Sequence, residues 1–185
     1  MIIWLNGAFG GGKTTLAAEL HRRLRGSLVF DPEQVGHVLT EIVTAPTGNF
    51  QDLPLWRSQV VSLGLGLVRE YGRPVIAPMT LVEPRYAEEI HGGLRAAGVP
   101  VHHFFLDVGP DELVRRLDAR INHEDDPARD ERVRQWTKDQ IPAATAALAT
   151  LSPDTVVLDG ERPTAELADE VIAHVEGRDG GPPGV

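Results

Sequence analysis

The chain has no cysteine, so disulfides, thiol catalysis and thiolate metal sites are excluded. Lysine is nearly absent. Lys13 and Lys138 are the only two, and arginine supplies every other cation among the 18 basic side chains. There is no basic run, and 27 acidic residues leave a formal net charge of −9. Such a surface repels phosphate backbones, so no nucleic-acid partner is expected, and any phosphate pocket must build its positive potential locally. No apolar stretch is long enough to span a bilayer. The opening residues, MIIWLNGAFGGGKT, carry no basic leader and turn glycine-rich after a short apolar run. They fit a buried strand better than a signal peptide, and a cytoplasmic protein is expected.

What is present fits one domain. The chain has 185 residues, 42% hydrophobic and 24% charged, which is enough to enclose a full core. Short apolar runs recur at Ile2–Asn6, Ser27–Phe30, Pro74–Pro78, Val101–Asp107 and Thr155–Leu158. They are apolar on both faces, as strands of a parallel sheet covered on both sides should be. Helical patterns alternate with them. Lys13–Leu24 follows the glycines; Pro32–Val43 opens with Asp31 as N-cap and Pro32 at the first helical position. Pro54, Pro84, Pro110 and Pro163 start further periodic segments, and Gly72 and Gly98 stand where helix C-caps belong. The pattern predicts a P-loop-type, three-layer α/β/α fold with a five-stranded parallel sheet. One domain is expected over residues 1–176. A polar, Pro-broken lid loop is expected at 121–131, and a disordered Gly/Pro-rich tail at 177–185.

Residues Gly7–Thr14, GAFGGGKT, match G-x-x-x-x-G-K-[ST] between a strand and a helix. Glycines allow successive backbone N–H groups of Gly7, Ala8, Phe9, Gly10, Gly11 and Gly12 to converge on a β-phosphate. Lys13 reaches the β- and γ-phosphates, the Thr14 hydroxyl ligates Mg²⁺, and Thr15 bonds the α-phosphate at the N-terminus of the helix. A dinucleotide fingerprint is excluded, because Thr15 stands where Gly or Ala would be needed. The pattern predicts ATP with Mg²⁺ as cofactors.

The third strand, PVIAPMT, carries no Walker-B acid, and no N-K-x-D occurs. This argues against motor ATPases and GTPases. Asp107 closes HHFFLD, as either a metal-side acid or a strand-end turn residue. Small-molecule kinases fit better. Asp31 follows the second strand, where a carboxylate can orient an acceptor hydroxyl or a metal-bound water; a plain N-cap is the compatible alternative. Arg116, Arg120, Arg129, Arg132 and Arg134 surround the lid. Arg116 and Arg120 share one helix face and are candidates for nucleotide contact and for stabilising the transferred phosphoryl group, respectively. Against this stands a solvated, ion-paired face with Asp111, Glu112 and Asp118. Trp56 and Arg57 are candidates for the acceptor pocket, Trp56 with a core role as the alternative. His102 and His103 point to opposite sheet faces and are expected to be structural.

The segments MIIWLNGAFGGGKT, HRRL, VFDPEQVG, LPLWR, VIAPMTLVEPRY and VPVHHFFLD resemble the bacterial tunicamycin-resistance protein family of P-loop ATP-binding proteins, over roughly residues 1–120. The resemblance implies a core similar to nucleotide kinases and chloramphenicol phosphotransferase. It also implies ATP binding through Gly7–Thr15 and resistance to the nucleoside antibiotic tunicamycin. It places Asp31 where related antibiotic kinases have a proposed base. Members of that family have been described as membrane-associated through a longer, basic C-terminus; here Thr164–Glu176 is acidic and the chain ends GRDGGPPGV, which argues against membrane association. Three readings follow: a kinase of a tunicamycin-like nucleoside, a non-catalytic ATP-dependent protein that sequesters the drug, or a metabolic nucleoside, nucleotide or sugar kinase. Oligomeric state stays open.

Overall fold

A computed structural model describes residues 1–121 and 124–179. Strand β1 (Ile2–Gly7) lies at the centre of a five-stranded sheet. It pairs with β3 (Val75–Pro78) on one side and β4 (Val101–Asp107) on the other. Strands β2 (Leu28–Val29) and β5 (Val156–Asp159) form the edges, giving the order β2-β3-β1-β4-β5 with every pairing parallel. The expected α/β architecture is therefore observed. β2 is shorter than the sequence pattern suggests because Asp31 and Pro32 turn the chain into a helix directly after Phe30.

The alternation of side chains along β1 divides the core in two. Ile3 and Leu5 pack with Leu16, Ala17 and Leu20 of α1 (Lys13–Arg23) and Leu167, Ala168 and Val171 of α8 (Thr164–Asp179). Ile2 and Trp4 face the other way, into a layer built by α2 (Pro32–Ile42), α3 (Pro54–Tyr71) and α4 (Pro84–Ala96). Each fully buried aliphatic side chain stabilises the fold by roughly 1.5–3 kcal/mol, so a Leu16→Ala change costs about 2–5 kcal/mol. A third apolar cluster joins Ala8 and Val108 to Leu113 and Leu117 of α5 (Pro110–Asp118) and to Ile141 and Ala144 of α7 (Ile141–Ala147). This cluster fastens the helices on either side of the expected lid, α5 and α7, onto the root of the glycine loop.

Half of that lid is helical. Pro127, taken from the sequence as a breaker, instead occupies the first turn of α6 (Pro127–Asp139), and the Asp126 side chain caps it by accepting from the Arg129 N–H at 2.9 Å. Proline is favourable there because the first-turn N–H has no helical partner to lose. Residues 122 and 123 of the expected lid lie outside the described residues. α8 continues to Asp179, past the Glu176 expected as its end, and residues 180–185 of the expected tail lie outside the described residues. Among the described residues no helix is long and apolar enough to cross a membrane.

Candidate functional site

Gly7 ends β1 and Lys13 begins α1, so the loop between them spans the C-terminal edge of the sheet. Three loop glycines, Gly7, Gly10 and Gly12, hold a positive φ that favours glycine. Gly7 has φ +136°, and a Cβ there would lie 2.7 Å from the Leu106 carbonyl oxygen; Gly12 has φ +92° and sits at the helix N-cap. Thr14 and Thr15 are exposed on the first turn of α1. The Lys13 ammonium folds back over the loop, donating to the Gly7 carbonyl at 2.9 Å and the Ala8 carbonyl at 2.7 Å. Burial holds its pKa down at about 8; Glu33 pulls it up and Arg120 pushes it down further. A desolvated cation inside a ring of backbone groups at a helix N-terminus is a fitting site for polyphosphate. Among the described residues no three acidic or imidazole side chains converge as a metal cage. A divalent ion here would take most of its oxygens from phosphate and water, with the Thr14 hydroxyl as protein ligand, which suits Mg²⁺.

Two cavities flank the loop. The smaller, about 280 Å³, is lined by Gly10–Gly12, Thr15, Arg116, Gly160 and Arg162. The Arg116 guanidinium donates to the Gly160 carbonyl at 3.1 Å and to Glu112 Oε1 at 2.7 Å, and it lies 3.9 Å from where a Cβ on Gly12 would be. Arg116, expected as a cofactor contact, lies beside the loop. Arg162, held by Glu166 and Glu170, was not legible as a site residue, because the turn after β5 has no motif of its own.

The larger cavity, about 690 Å³, opens on the other side of the loop. Phe9, Glu33, His37, Gln51 and Thr80 line it, with Trp136 of α6 at its edge. Phe9 was expected to serve the nucleotide through its backbone, but its ring turns into this cleft. It meets Trp136 edge-on at 5.3 Å between centroids and carries the Lys13 ammonium 5.6 Å from its own centroid. His37 and Phe50 form a second edge-on pair at 6.3 Å. Trp136 is 54% exposed, an orientation that leaves its face available to a ligand.

The carboxylates after β2 divide their work. Asp31 caps α2, accepting from the Glu33 N–H at 2.9 Å. Glu33 is the acid that lines the cleft. Burial raises its pKa most and Asp31 raises it further, while Lys13, His37 and Arg120 act against them. A carboxyl held above its ordinary range beside a lysine is a general-base candidate. From sequence, Glu33 looks like an acid complementing the helix dipole in the first turn of α2, which conceals this placement.

Two expected acceptor residues lie elsewhere. Trp56 is fully buried, donating through Nε1 to the Pro32 carbonyl at 3.0 Å. It is a core aromatic with no face left for a ligand. Arg57 is 4% exposed and works behind the cleft: it donates to Glu89 at 2.7 Å and to the Gln51 carbonyl at 2.6 Å, and stacks 4.3 Å from the Tyr86 ring centroid. Gln51 in turn donates to the Thr80 carbonyl, and Thr80 Oγ1 donates to the Gly7 carbonyl, each at 2.9 Å. Arg57 therefore braces the cleft wall and carries no free charge into it. Arg120 is exposed and close enough to act on the charges of both Lys13 and Glu33. Arg134 pairs with Asp130 and Glu131 within α6. Asp107 is exposed at the end of β4, where its carbonyl accepts from Gly160 N–H at 2.7 Å. His102 and His103 are both buried and face opposite sides, against His174 and His91 respectively.

Residues 2–143 match the family model described as AAA domain. Among solved structures, the tunicamycin resistance protein of Deinococcus radiodurans is similar at a TM-score of 0.72 and 28% identity, with 94% of each chain covered. The resemblance to that family is borne out. A sugar kinase from Janibacter sp. HTCC2649 has a TM-score of 0.68 and 17% identity over 95% of this chain and 94% of that one. The corresponding figures for a shikimate kinase from Bacteroides thetaiotaomicron are 0.57, 19%, 96% and 98%. These two share the fold. No curated protein matches the chain significantly.

Proposed function

The chain belongs to the AAA domain family, and on that premise we propose that it is a cytoplasmic, ATP-dependent small-molecule kinase that phosphorylates a hydroxyl of a tunicamycin-like nucleoside antibiotic. The observation that carries this reading is Glu33, which lines a cleft walled by Phe9, Phe50 and Trp136 and lies close enough to Lys13 for their charges to interact. Aromatic walls suit a ligand with a planar base, and a shielded carboxylate suits a hydroxyl.

In this reading ATP lies along Gly7–Thr15 with its nucleoside towards Arg116 and Arg162. Mg²⁺ would be held by Thr14 together with phosphate oxygens and would supply charge neutralisation. The acceptor hydroxyl gives its proton to Glu33, with Asp31 holding the start of α2 in place. An acceptor oxygen–γ-phosphorus bond forms as the bond to the β-phosphate oxygen breaks, and ADP leaves. Lys13 and Arg120 balance charge on the phosphoryl group in flight. No nucleic acid or membrane takes part.

The test is mass spectrometry of tunicamycin after incubation with the protein and Mg-ATP. One added phosphoryl group, lost in Lys13→Ala, supports the reading. Unchanged drug with both ligands bound favours sequestration, and unchanged drug that does not bind calls for a nucleoside and sugar panel.

A further inference from the structure

The root of the glycine loop is held by a buried amide. Asn6, the last residue before Gly7, is 0% exposed. Its Oδ1 accepts from the Gly7 N–H at 2.7 Å and from the Leu81 N–H at 2.9 Å, and its Nδ2 donates to the Leu81 carbonyl at 2.6 Å. The side chain thus acts as a peptide group, tying the start of the loop to the segment that follows β3, beyond the reach of the β1–β3 ladder. One Nδ2 hydrogen remains, and it points at His103 Nε2, 3.3 Å away. The other ring nitrogen, Nδ1, lies 2.9 Å from Thr155 Oγ1.

These contacts are mutually consistent in only one arrangement. Reversing the amide would aim an NH₂ at two N–H donors and an oxygen at a carbonyl. With the amide in its present sense, His103 Nε2 must carry a lone pair, so the proton sits on Nδ1 and is donated to Thr155. His103 is 5% exposed, beneath His91 and close to Arg95 on α4, while Trp4 packs on His91 from β1. Burial first, and Arg95 second, hold its pKa down to about 4, so the lone pair persists at any working pH. His91 is itself held well below the ordinary range, mainly by burial, and adds no competing charge.

We propose that Asn6, with its amide oriented by His103, is a positioning residue for nucleotide phosphate: it fixes the peptide of Gly7 so that the loop N–H groups converge. Thr80 holds the carbonyl of the same residue, so both polar groups of Gly7 are fixed from side chains outside the loop. This inference rests on the nucleotide-binding reading above.

The test compares His103→Leu with His103→Gln, reading Mg-ATP dissociation constants by calorimetry and melting temperatures in parallel. Gln places an acceptor where Nε2 stands; Leu fills the space without one. His103→Leu should weaken Mg-ATP binding about tenfold, the effect of losing one buried hydrogen bond, and His103→Gln should remain within about twofold of the wild type. Asn6→Ala should weaken it further. Equal affinities for the Leu and Gln variants would overturn the inference. So would an Asn6→Ala protein whose melting temperature falls while its affinity is kept. If Asn6→Ala does not fold, the His103 pair still decides. A wild-type protein that binds no Mg-ATP, with Lys13→Ala indistinguishable from it, would instead sink the underlying nucleotide reading.

Discussion

The loop and the cleft beside it are built in opposite ways. Gly7–Thr15 is a contiguous run at the end of one central strand, pinned at its root by Asn6, Thr80 and its own Lys13. The cleft draws Phe9, Glu33, Phe50, Thr80 and Trp136 from widely separated stretches, and its walls stand because residues behind them, Trp56 and Arg57, are tied into the core. A contiguous site concentrates function in single atoms, so its substitutions should act as switches. A composite site spreads it over several side chains, so its substitutions should act by degrees.

The largest expected effect belongs to the loop. Lys13→Ala should lower turnover by at least about a hundredfold with a nearly unchanged melting temperature, since its ammonium hydrogen-bonds to the loop carbonyls of Gly7 and Ala8. A protein that lost stability in proportion would break the contrast. Glu33→Gln should come next, with kcat reduced about a hundredfold and Mg-ATP affinity retained. If Asp31→Asn abolishes turnover while Glu33→Gln leaves it intact, the proton acceptor is the capping residue after all.

The third effect is pH dependence. Lys13 titrates at about 8 without nucleotide, and triphosphate raises that value by favouring the ammonium. Below pH 8 the charge is already present. Above it, binding must recruit a proton, so affinity should fall about tenfold per pH unit. A flat profile to pH 9.5 would show that the ammonium is not desolvated. The smallest effect belongs to the cleft's outer wall: Trp136→Ala should raise acceptor KM several-fold, within the ordinary worth of an aromatic contact, and leave kcat and stability alone.

The same difference explains what the sequence makes legible. The sheet, its helices and the loop depend on neighbours in the chain: alternation, proline starts, glycine spacing. Asp31 is recognisable as a cap because capping is local. Glu33 is not recognisable as the cleft's acid, since its surroundings come from Lys13, His37 and Arg120. Trp56 and Arg57, expected in the acceptor pocket, are instead buried behind the cleft, because which way a helical residue faces depends on what packs against it. Pro127 breaks a pattern on paper and starts α6 in the fold, because Asp126 supplies the cap.

The central claim, that this protein transfers phosphate and does not merely retain the drug, is tested most directly by stoichiometry. With protein at about one hundredth of the tunicamycin concentration and excess Mg-ATP, the account predicts conversion of the whole drug pool to a phosphorylated product, with matching ADP release. Protection that stops at one drug per protein, with the drug's mass unchanged, would contradict it.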